Sequence, residues 1–161
     1  MDDPRVFATD QPVHPRKGPL ACRFQQRFEA GDLATRAVLQ DLVAFLADAG
    51  IGDDDLVNVE LILAEALNNV SEHAYAGGTG PVEVVVEVQR TGLFCRIADR
   101  GKGIPSGQAP DPDLPTINPP SDLPEGGFGW HIIRCLTRDL TYGREAGWNR
   151  LSMYVPWSDL D

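Results

Sequence analysis

The hydrophobic pattern from Leu56 to Tyr75 predicts one amphipathic helix, around which we expect the rest of the chain to be arranged. Apolar side chains recur at three- and four-residue spacing and form one broad stripe: Leu56, Val59, Leu63, Ala66, Leu67 and Val70. Glu65 and Asn69 lie away from this stripe, one helical turn apart on the same side, so their side-chain oxygens can converge on one ligand. The solvated face of an ordinary amphipathic helix is the alternative interpretation.

Hydrophobic spacing predicts the other elements in the order strand, helix, helix, hairpin, loop, helix, hairpin. The predicted strands are 20–28, 82–88, 93–98, 140–142 and 151–155. Asp32 is the expected N-cap of the first helix, and the last helix is expected over 128–138. Asp53, Asp54 and Asp55 favour the start of the central helix, with a metal cluster as the alternative. This order predicts an α+β fold, a two-layer sandwich in which a mostly antiparallel, mixed sheet carries its helices on one face.

The length and composition of the chain predict a single domain. A chain of 161 residues with 42% hydrophobic composition can bury one core, which we expect over residues 20–161. Residues 1–19 contain four prolines and no hydrophobic period, so we expect a flexible lead-in there. The proline-rich residues 104–125 also lack a hydrophobic period, and a loop of that length is usually either disordered or functional, often as a lid.

The net charge of the chain argues against one class of binding partner, nucleic acids. A net charge of -10 and the absence of a basic run argue against direct nucleic-acid binding through phosphate contacts. No apolar run is long enough to span a membrane and no signal peptide is evident, so we expect a cytoplasmic protein without a membrane partner. Cys22, Cys95 and Cys135 form no metal-binding pattern and are expected to be buried or reduced thiols.

Two glycine-rich segments are candidates for ligand binding. The first is Asp99-Arg100-Gly101-Lys102-Gly103-Ile104, directly after a predicted strand. Its aspartate can accept a hydrogen bond from an exocyclic amine such as adenine N6, and its glycines let the backbone pass close to a flat ring or a phosphate. A tight turn capped by the aspartate explains the same residues equally well.

The second segment, Glu125-Gly126-Gly127-Phe128-Gly129-Trp130, opens the last predicted helix. Unpaired N–H groups at the positive end of a helix dipole suit phosphate oxygens, and a flexible hinge is the alternative. Neither a Walker A motif nor GxGxxG is present, so a nucleotide would be bound by another architecture. Because bulk positive charge is missing, a metal ion and backbone N–H groups would have to hold its phosphates.

The acidic helix face followed by these two loops, in this order, resembles the GHKL ATPase superfamily, and within it the RsbW-type anti-sigma-factor serine/threonine kinases. The resemblance covers about residues 20–156 and implies an ATP-binding kinase domain with the proline-rich segment as its ATP lid. It implies that Glu65 is the general base and that Asn69 binds the Mg²⁺ bridging the phosphates of ATP. His73 and Tyr75 resemble the end of the same motif, and 147–151 resembles the closing strand motif. The nucleotide-binding residues implied are Asn69, His73, Asp99, Gly101, Gly103, Ile104, Gly126, Gly127, Phe128 and Gly129.

The resemblance also implies a function and partners. A kinase of this type transfers phosphate from ATP to a Ser or Thr of a STAS-type anti-anti-sigma factor, and it binds a sigma factor, usually as a homodimer. Arg36 loosely matches a partner-contacting arginine, with an ordinary surface arginine as the alternative. Two other functions stay open: a non-catalytic, nucleotide-gated regulator that sequesters its protein partner, and a generic α+β domain whose glycine loops are only turns.

Overall fold

The computed structural model describes residues 22–110 and 128–160, which form five strands and three α-helices. The strands are β1 (Arg23–Glu29), β2 (Pro81–Gln89), β3 (Gly92–Asp99), β4 (Arg138–Glu145) and β5 (Trp148–Pro156). The helices are α1 (Asp32–Asp48), α2 (Asp53–Asn69) and α3 (Phe128–Leu136). A π-helical turn, Val70–Ala74, continues α2, and a 3₁₀ turn, Ser158–Leu160, follows β5. The expected lead-in over 1–19 and most of the expected lid, 111–125, lie outside the described residues.

The five strands form one sheet in the order β1-β2-β3-β5-β4. All four pairings are antiparallel, so the sheet is antiparallel throughout and not mixed. The predicted α+β class, with its two hairpins separated by a loop and a helix, is confirmed. None of the helices in the described ranges is long and apolar enough to cross a membrane.

The core lies between the three helices and the inner face of the sheet. Alternation along β2 turns Val82, Val84, Val86 and Val88 inward, where they meet the apolar stripe of α2. On the other face of β2, Val85 is also buried, between its neighbours on β1 and β3.

The cysteines differ in burial but none is paired. Cys95 lies in the core and burial raises the pKa of its thiol to about 12, so the thiol stays protonated and inert at neutral pH. Cys22 is half-buried and Cys135 is exposed, and all three are free thiols.

Two predictions from the sequence concerned acidic residues at the starts of helices. Asp32 is not the N-cap of α1; Gly31 occupies that position, and the Asp32 carboxylate faces the dipole as the first helical residue. Asp53, Asp54 and Asp55 form the first turn of α2, in agreement with the structural interpretation of this cluster. Buried Asp55 accepts hydrogen bonds from the backbone N–H of Ser158 (2.9 Å) and from its hydroxyl (2.6 Å), so it attaches the end of the chain to α2.

Candidate functional site

A cavity of about 430 Å³ opens between the end of α2, the end of β3, the start of β5 and α3. Its volume falls within the range of small-molecule sites, and its walls are mainly apolar with a few polar groups. The apolar walls include Ala66, Val70, Ile97, Ile104, Pro105, Trp130 and Leu151. The polar side chains facing it are Asn69, Glu72, His73, Asp99, Lys102, Tyr142 and Asn149.

Asp99, the last residue of β3, supplies a buried carboxylate to this cavity. Its Oδ1 accepts hydrogen bonds from the backbone N–H of Gly101 (2.8 Å) and from Nδ2 of Asn149 (2.8 Å). Burial raises the pKa of Asp99, although these two hydrogen bonds and the charge of Arg144 act in the opposite direction. Within the described part of the chain no group donates to Oδ2, which is therefore available to a donor on a ligand.

The loop after Asp99 packs against the π-helical turn. A Cβ added at Gly101 would lie 2.5 Å from the carbonyl oxygen of Ala74, and this oxygen accepts a hydrogen bond from the backbone N–H of Lys102 (2.7 Å). Gly101 itself does not line the cavity. Its lack of a side chain is thus required by protein packing, whereas the sequence interpretation attributed it to close approach of a ligand. Gly103 and Ile104, further along the loop, do line the cavity.

The end of α2 supplies the second polar group expected from the sequence. Asn69 lines the cavity, and its Nδ2 is buried without a hydrogen-bond partner among the residues described. A buried amide left unpaired costs free energy, so this carboxamide suits a ligand that completes its hydrogen bonding or coordination. His73 and Glu72 follow in the π-helical turn and face the same cavity.

Glu65 lies one turn before Asn69 but does not line the cavity. Its carboxylate lies against the first turn of α3, where a Cβ added at Gly129 would be only 2.7 Å from Oε2 of Glu65. The first turn of a helix has unpaired N–H groups and a positive dipole end, an environment that favours a carboxylate. Glu65 and Asn69 therefore lie one turn apart on α2, as predicted, but their side chains do not converge on the same cavity: Asn69 lines it and Glu65 lies against α3.

The second glycine-rich segment is described only from Phe128 onward. Gly126 and Gly127 lie outside the described residues, and Phe128 and Gly129 do not line the cavity. Trp130, in the first turn of α3, does line it. Arg134 of the same helix donates to the carbonyl oxygens of Ala109 (2.9 Å) and Pro110 (2.6 Å), so α3 holds the rim of the cavity.

The donor set at Asn69 fits Mg²⁺ bound together with phosphates. The described residues contain no group of three or more His, Cys, Asp or Glu side chains that could hold a metal ion by themselves. Mg²⁺ in nucleotide sites is usually bound by one or two protein oxygens together with substrate phosphates. A single carboxamide oxygen, on a side chain whose Nδ2 is left unpaired, meets that requirement.

Several residues that line the cavity received no ligand-binding role from the sequence, among them Lys102, Trp130, Tyr142 and Asn149. A signal existed for Asn149, which occupies an inward position of β5 in the alternation Asn149, Leu151, Met153, Val155. A buried polar residue in an otherwise apolar alternation requires a hydrogen-bond partner, and here that partner is Asp99. The other three carried no comparable signal.

The chain matches a family model over most of its length and is similar to protein kinases. The family model described as histidine kinase-like ATPase domain matches residues 28–155. The serine/threonine-protein kinase BtrW of Bordetella bronchiseptica is 32% identical over 90 residues, which cover 55% of this chain and 62% of that protein. The serine-protein kinase RsbW of Bacillus mycoides is 28% identical over 100 residues, covering 61% and 62%. The chain therefore spans somewhat less than two thirds of the length of these relatives.

A solved structure has a similar fold. It contains the RsbU and RsbW domains of Rv1364c from Mycobacterium tuberculosis, and it superposes with a TM-score of 0.57 at 18% sequence identity. The superposition covers 84% of this chain and 33% of that one. At this identity the match carries information about the fold alone.

Proposed function

The chain belongs to the histidine kinase-like ATPase domain family, and from that premise we propose that it is an ATP-dependent protein serine/threonine kinase acting as an anti-sigma factor. The observation that carries the proposal is one cavity with a free carboxylate oxygen of Asp99 at one side and the unpaired carboxamide of Asn69 at another. The names of two relatives, both protein kinases, support it.

At the base end of the site, Asp99 accepts a hydrogen bond from the exocyclic amine of adenine through Oδ2. The apolar walls at Ile104, Trp130 and Leu151 bury the ring and exclude water, which strengthens the hydrogen bond to the charged acceptor. Gly103 keeps the backbone of the loop close to the ring because it carries no side chain.

At the phosphate end, Asn69 would hold Mg²⁺ through its carboxamide oxygen, and His73 lies beside it on the same cavity wall. When bound there, ATP would supply the phosphoryl group and Mg²⁺ would neutralise charge on its phosphates. We assign the remaining phosphate contacts to the backbone N–H groups of Gly126, Gly127, Phe128 and Gly129 at the start of α3. This part of the proposal rests on the sequence, since the first two of these glycines lie outside the described residues.

Glu65 acts as the general base in this proposal. It accepts the proton of a serine or threonine hydroxyl on the partner protein as that oxygen bonds to the γ-phosphorus of ATP, while the bond from the γ-phosphorus to the bridging oxygen breaks and ADP leaves. Its carboxylate lies at the first turn of α3, the element that also carries the phosphate contacts proposed above. We further propose a STAS-type anti-anti-sigma factor as the phosphate acceptor, a sigma factor as the second partner, and a homodimer as the assembled form.

A substitution at Glu65 tests the catalytic part of the proposal. Glu65→Gln should bind Mg-ATP with unchanged affinity and lose phosphoryl transfer by about a hundredfold or more, the usual contribution of a general base. Transfer is measured with radiolabelled ATP and a purified STAS-type partner, and binding by calorimetry. Glu60→Gln, an exposed change on the same helix, is the matched control and should retain both activities.

One observation favours a second function, a non-catalytic regulator that sequesters its partner when a nucleotide is bound. Glu65 does not line the cavity and lies against Gly129 instead. In that case wild-type protein binds Mg-ATP and its partner but transfers no phosphate, and Glu65→Gln leaves both affinities unchanged. Phosphate transfer by wild-type protein rejects this second function.

A further inference from the structure

The amide of Asn149 joins the candidate base-binding carboxylate to two strands. Asn149 at the start of β5 pairs with Asp99 in the strand register, and its side chain is 3% exposed. Its Nδ2 donates to Oδ1 of Asp99 (2.8 Å) and to the carbonyl oxygen of Gly101 (3.1 Å). Its Oδ1 accepts from the hydroxyl of Tyr142 (2.8 Å) and from the guanidinium of Arg144 (2.6 Å).

These contacts occupy the hydrogen-bonding capacity of the amide. A carboxamide has two N–H donors and two acceptor positions, and all four are used within the protein. The direction of the amide is also fixed, since donors surround its oxygen and acceptors surround its nitrogen. Asn149 therefore has no group left for a ligand, although it faces the cavity.

The same network holds the loop that forms one wall of the cavity. Tyr142 accepts a hydrogen bond from the backbone N–H of Ile104 (3.0 Å) while it donates to Asn149. Arg144 donates to the carbonyl oxygen of Gly101 (2.8 Å). The loop 101–104 is thus attached to β4 at both ends and to β5 at Gly101. Among the residues that the structure describes, Asn149 alone is hydrogen-bonded to the loop, to the side chains of Tyr142 and Arg144, and to Asp99.

We propose that Asn149 is a positioning residue that directs Oδ2 of Asp99 at the exocyclic amine of the bound base, without touching the nucleotide itself. By holding Oδ1, it leaves the other oxygen facing the cavity, and through Tyr142 and Arg144 it sets the distance of the 101–104 wall from the ring. This inference rests on the proposed nucleotide site and extends it to the way that site recognises the amine.

The test compares two ligands that differ in one group. ADP and purine riboside 5′-diphosphate, which lacks only the 6-amino group, are titrated calorimetrically into wild-type protein and Asn149→Leu. A hydrogen bond to a charged acceptor gives wild-type protein a preference for ADP of about tenfold or more. In Asn149→Leu the preference should fall close to one, because the carboxylate is free to turn. A purely structural defect would weaken both ligands equally and keep the ratio.

Two further variants make the outcome decisive. Tyr142→Phe keeps the ring but removes the hydroxyl that orients Asn149, so its preference for ADP should lie between those of wild-type protein and Asn149→Leu. If Asn149→Leu shows no cooperative melting, the result for Tyr142→Phe decides the question. Asn68→Leu, an exposed change on α2, should behave as wild type. If Asn149→Leu keeps the full preference for ADP, the positioning role of Asn149 is wrong, although the proposed nucleotide site still stands. The same holds for Tyr142→Phe if Asn149→Leu does not fold. Wild-type protein that binds neither diphosphate contradicts the proposed function itself.

Discussion

Asp99, which is buried, and Asn69, which is half-buried, face the cavity with hydrogen-bonding capacity that the rest of the described chain does not use. A buried N–H such as that of Asn69 costs about 1–3 kcal/mol when it has no partner, and burial disfavours the charged form of the Asp99 carboxyl, so both side chains destabilise the folded protein in the absence of a ligand. Proteins commonly accept such a cost at binding sites. The two residues are therefore the places where stability and function should respond in opposite directions to substitution.

Asp99→Asn should stabilise the ligand-free protein near neutral pH. Burial raises the pKa of Asp99 in the folded state, so the folded protein holds its proton more tightly than the unfolded chain does. Stability is then lost as pH rises and this carboxyl ionises, and the loss is complete above the folded pKa. The neutral amide avoids it, so the variant should melt higher than wild type at pH 7, with a difference that shrinks as pH falls toward about 4.

Thermal melting from pH 4 to pH 8 measures this difference, and calorimetry measures the accompanying loss of ATP affinity, which we expect to be about tenfold or more. A variant less stable than wild type at pH 7, or a difference independent of pH, would show that ionisation of Asp99 carries no such cost.

At the scale of elements, the packing of α3 on α2 controls where Glu65 points. A Cβ at Gly129 would meet Oε2 of Glu65 at 2.7 Å, while the next two nearest atoms, Cδ and Cβ of the same side chain, lie at 3.6 and 3.8 Å. The contact is with the end of a flexible side chain, so the carboxylate can move away without a shift of the backbone. The missing side chain of Gly129 therefore affects the position of the Glu65 carboxylate and has little effect on the fold.

Gly129→Ala should therefore lower phosphoryl transfer without lowering the stability of the fold. Alanine is favoured over glycine inside a helix by about 1 kcal/mol, so the free energy of unfolding should stay equal or rise. Phosphoryl transfer should fall about tenfold or more, because displaced Glu65 no longer meets the incoming hydroxyl. Gly143→Ala, where an added Cβ has nothing within 4 Å, is the control. Unchanged transfer in Gly129→Ala would argue that the observed position of Glu65 is irrelevant to catalysis.

At the scale of the whole molecule, charge is divided between the two layers. The helices α1 and α2 carry eight acidic side chains and one arginine, whereas the five strands carry six arginines and six acidic side chains. The cavity lies at the end of α2, between the acidic helical layer and the sheet. A nucleotide bound there meets little bulk positive charge, which is why a metal ion and backbone N–H groups are central to the proposed site.

Much of this architecture could be predicted because its signals are local. The apolar stripe of α2 and the alternating valines of β2 each indicate one element from adjacent residues, and the order of the elements predicts the fold class. The element ends were less accurate: α2 passes into a π-helical turn before Tyr75, and the N-cap of α1 is Gly31. Such ends depend on tertiary packing, which periodicity does not report.

Part of the cavity lining could also be predicted, because some of its residues lie in local sequence motifs. Asn69, His73 and Asp99 lie in motifs that could be recognised, and they do share one cavity. Tyr142 and Asn149 reach Asp99 only through the pairing of β3 with β5 and of β5 with β4, across some 50 residues of chain. That contact depends on register, which the sequence left open. The separate surroundings of Glu65 likewise depend on where α3 docks.

Thermal melting of wild type, Asn69→Ala and the exposed neighbour Asn68→Ala tests whether the cavity binds Mg-ATP through Asn69, as we propose. Mg-ATP at a hundred times its dissociation constant should stabilise wild type and Asn68→Ala by about 2.7 kcal/mol. Asn69→Ala should lose most of this stabilisation while it folds normally. No shift for wild-type protein with millimolar ATP or ADP, or an equal shift in all three proteins, would contradict the account.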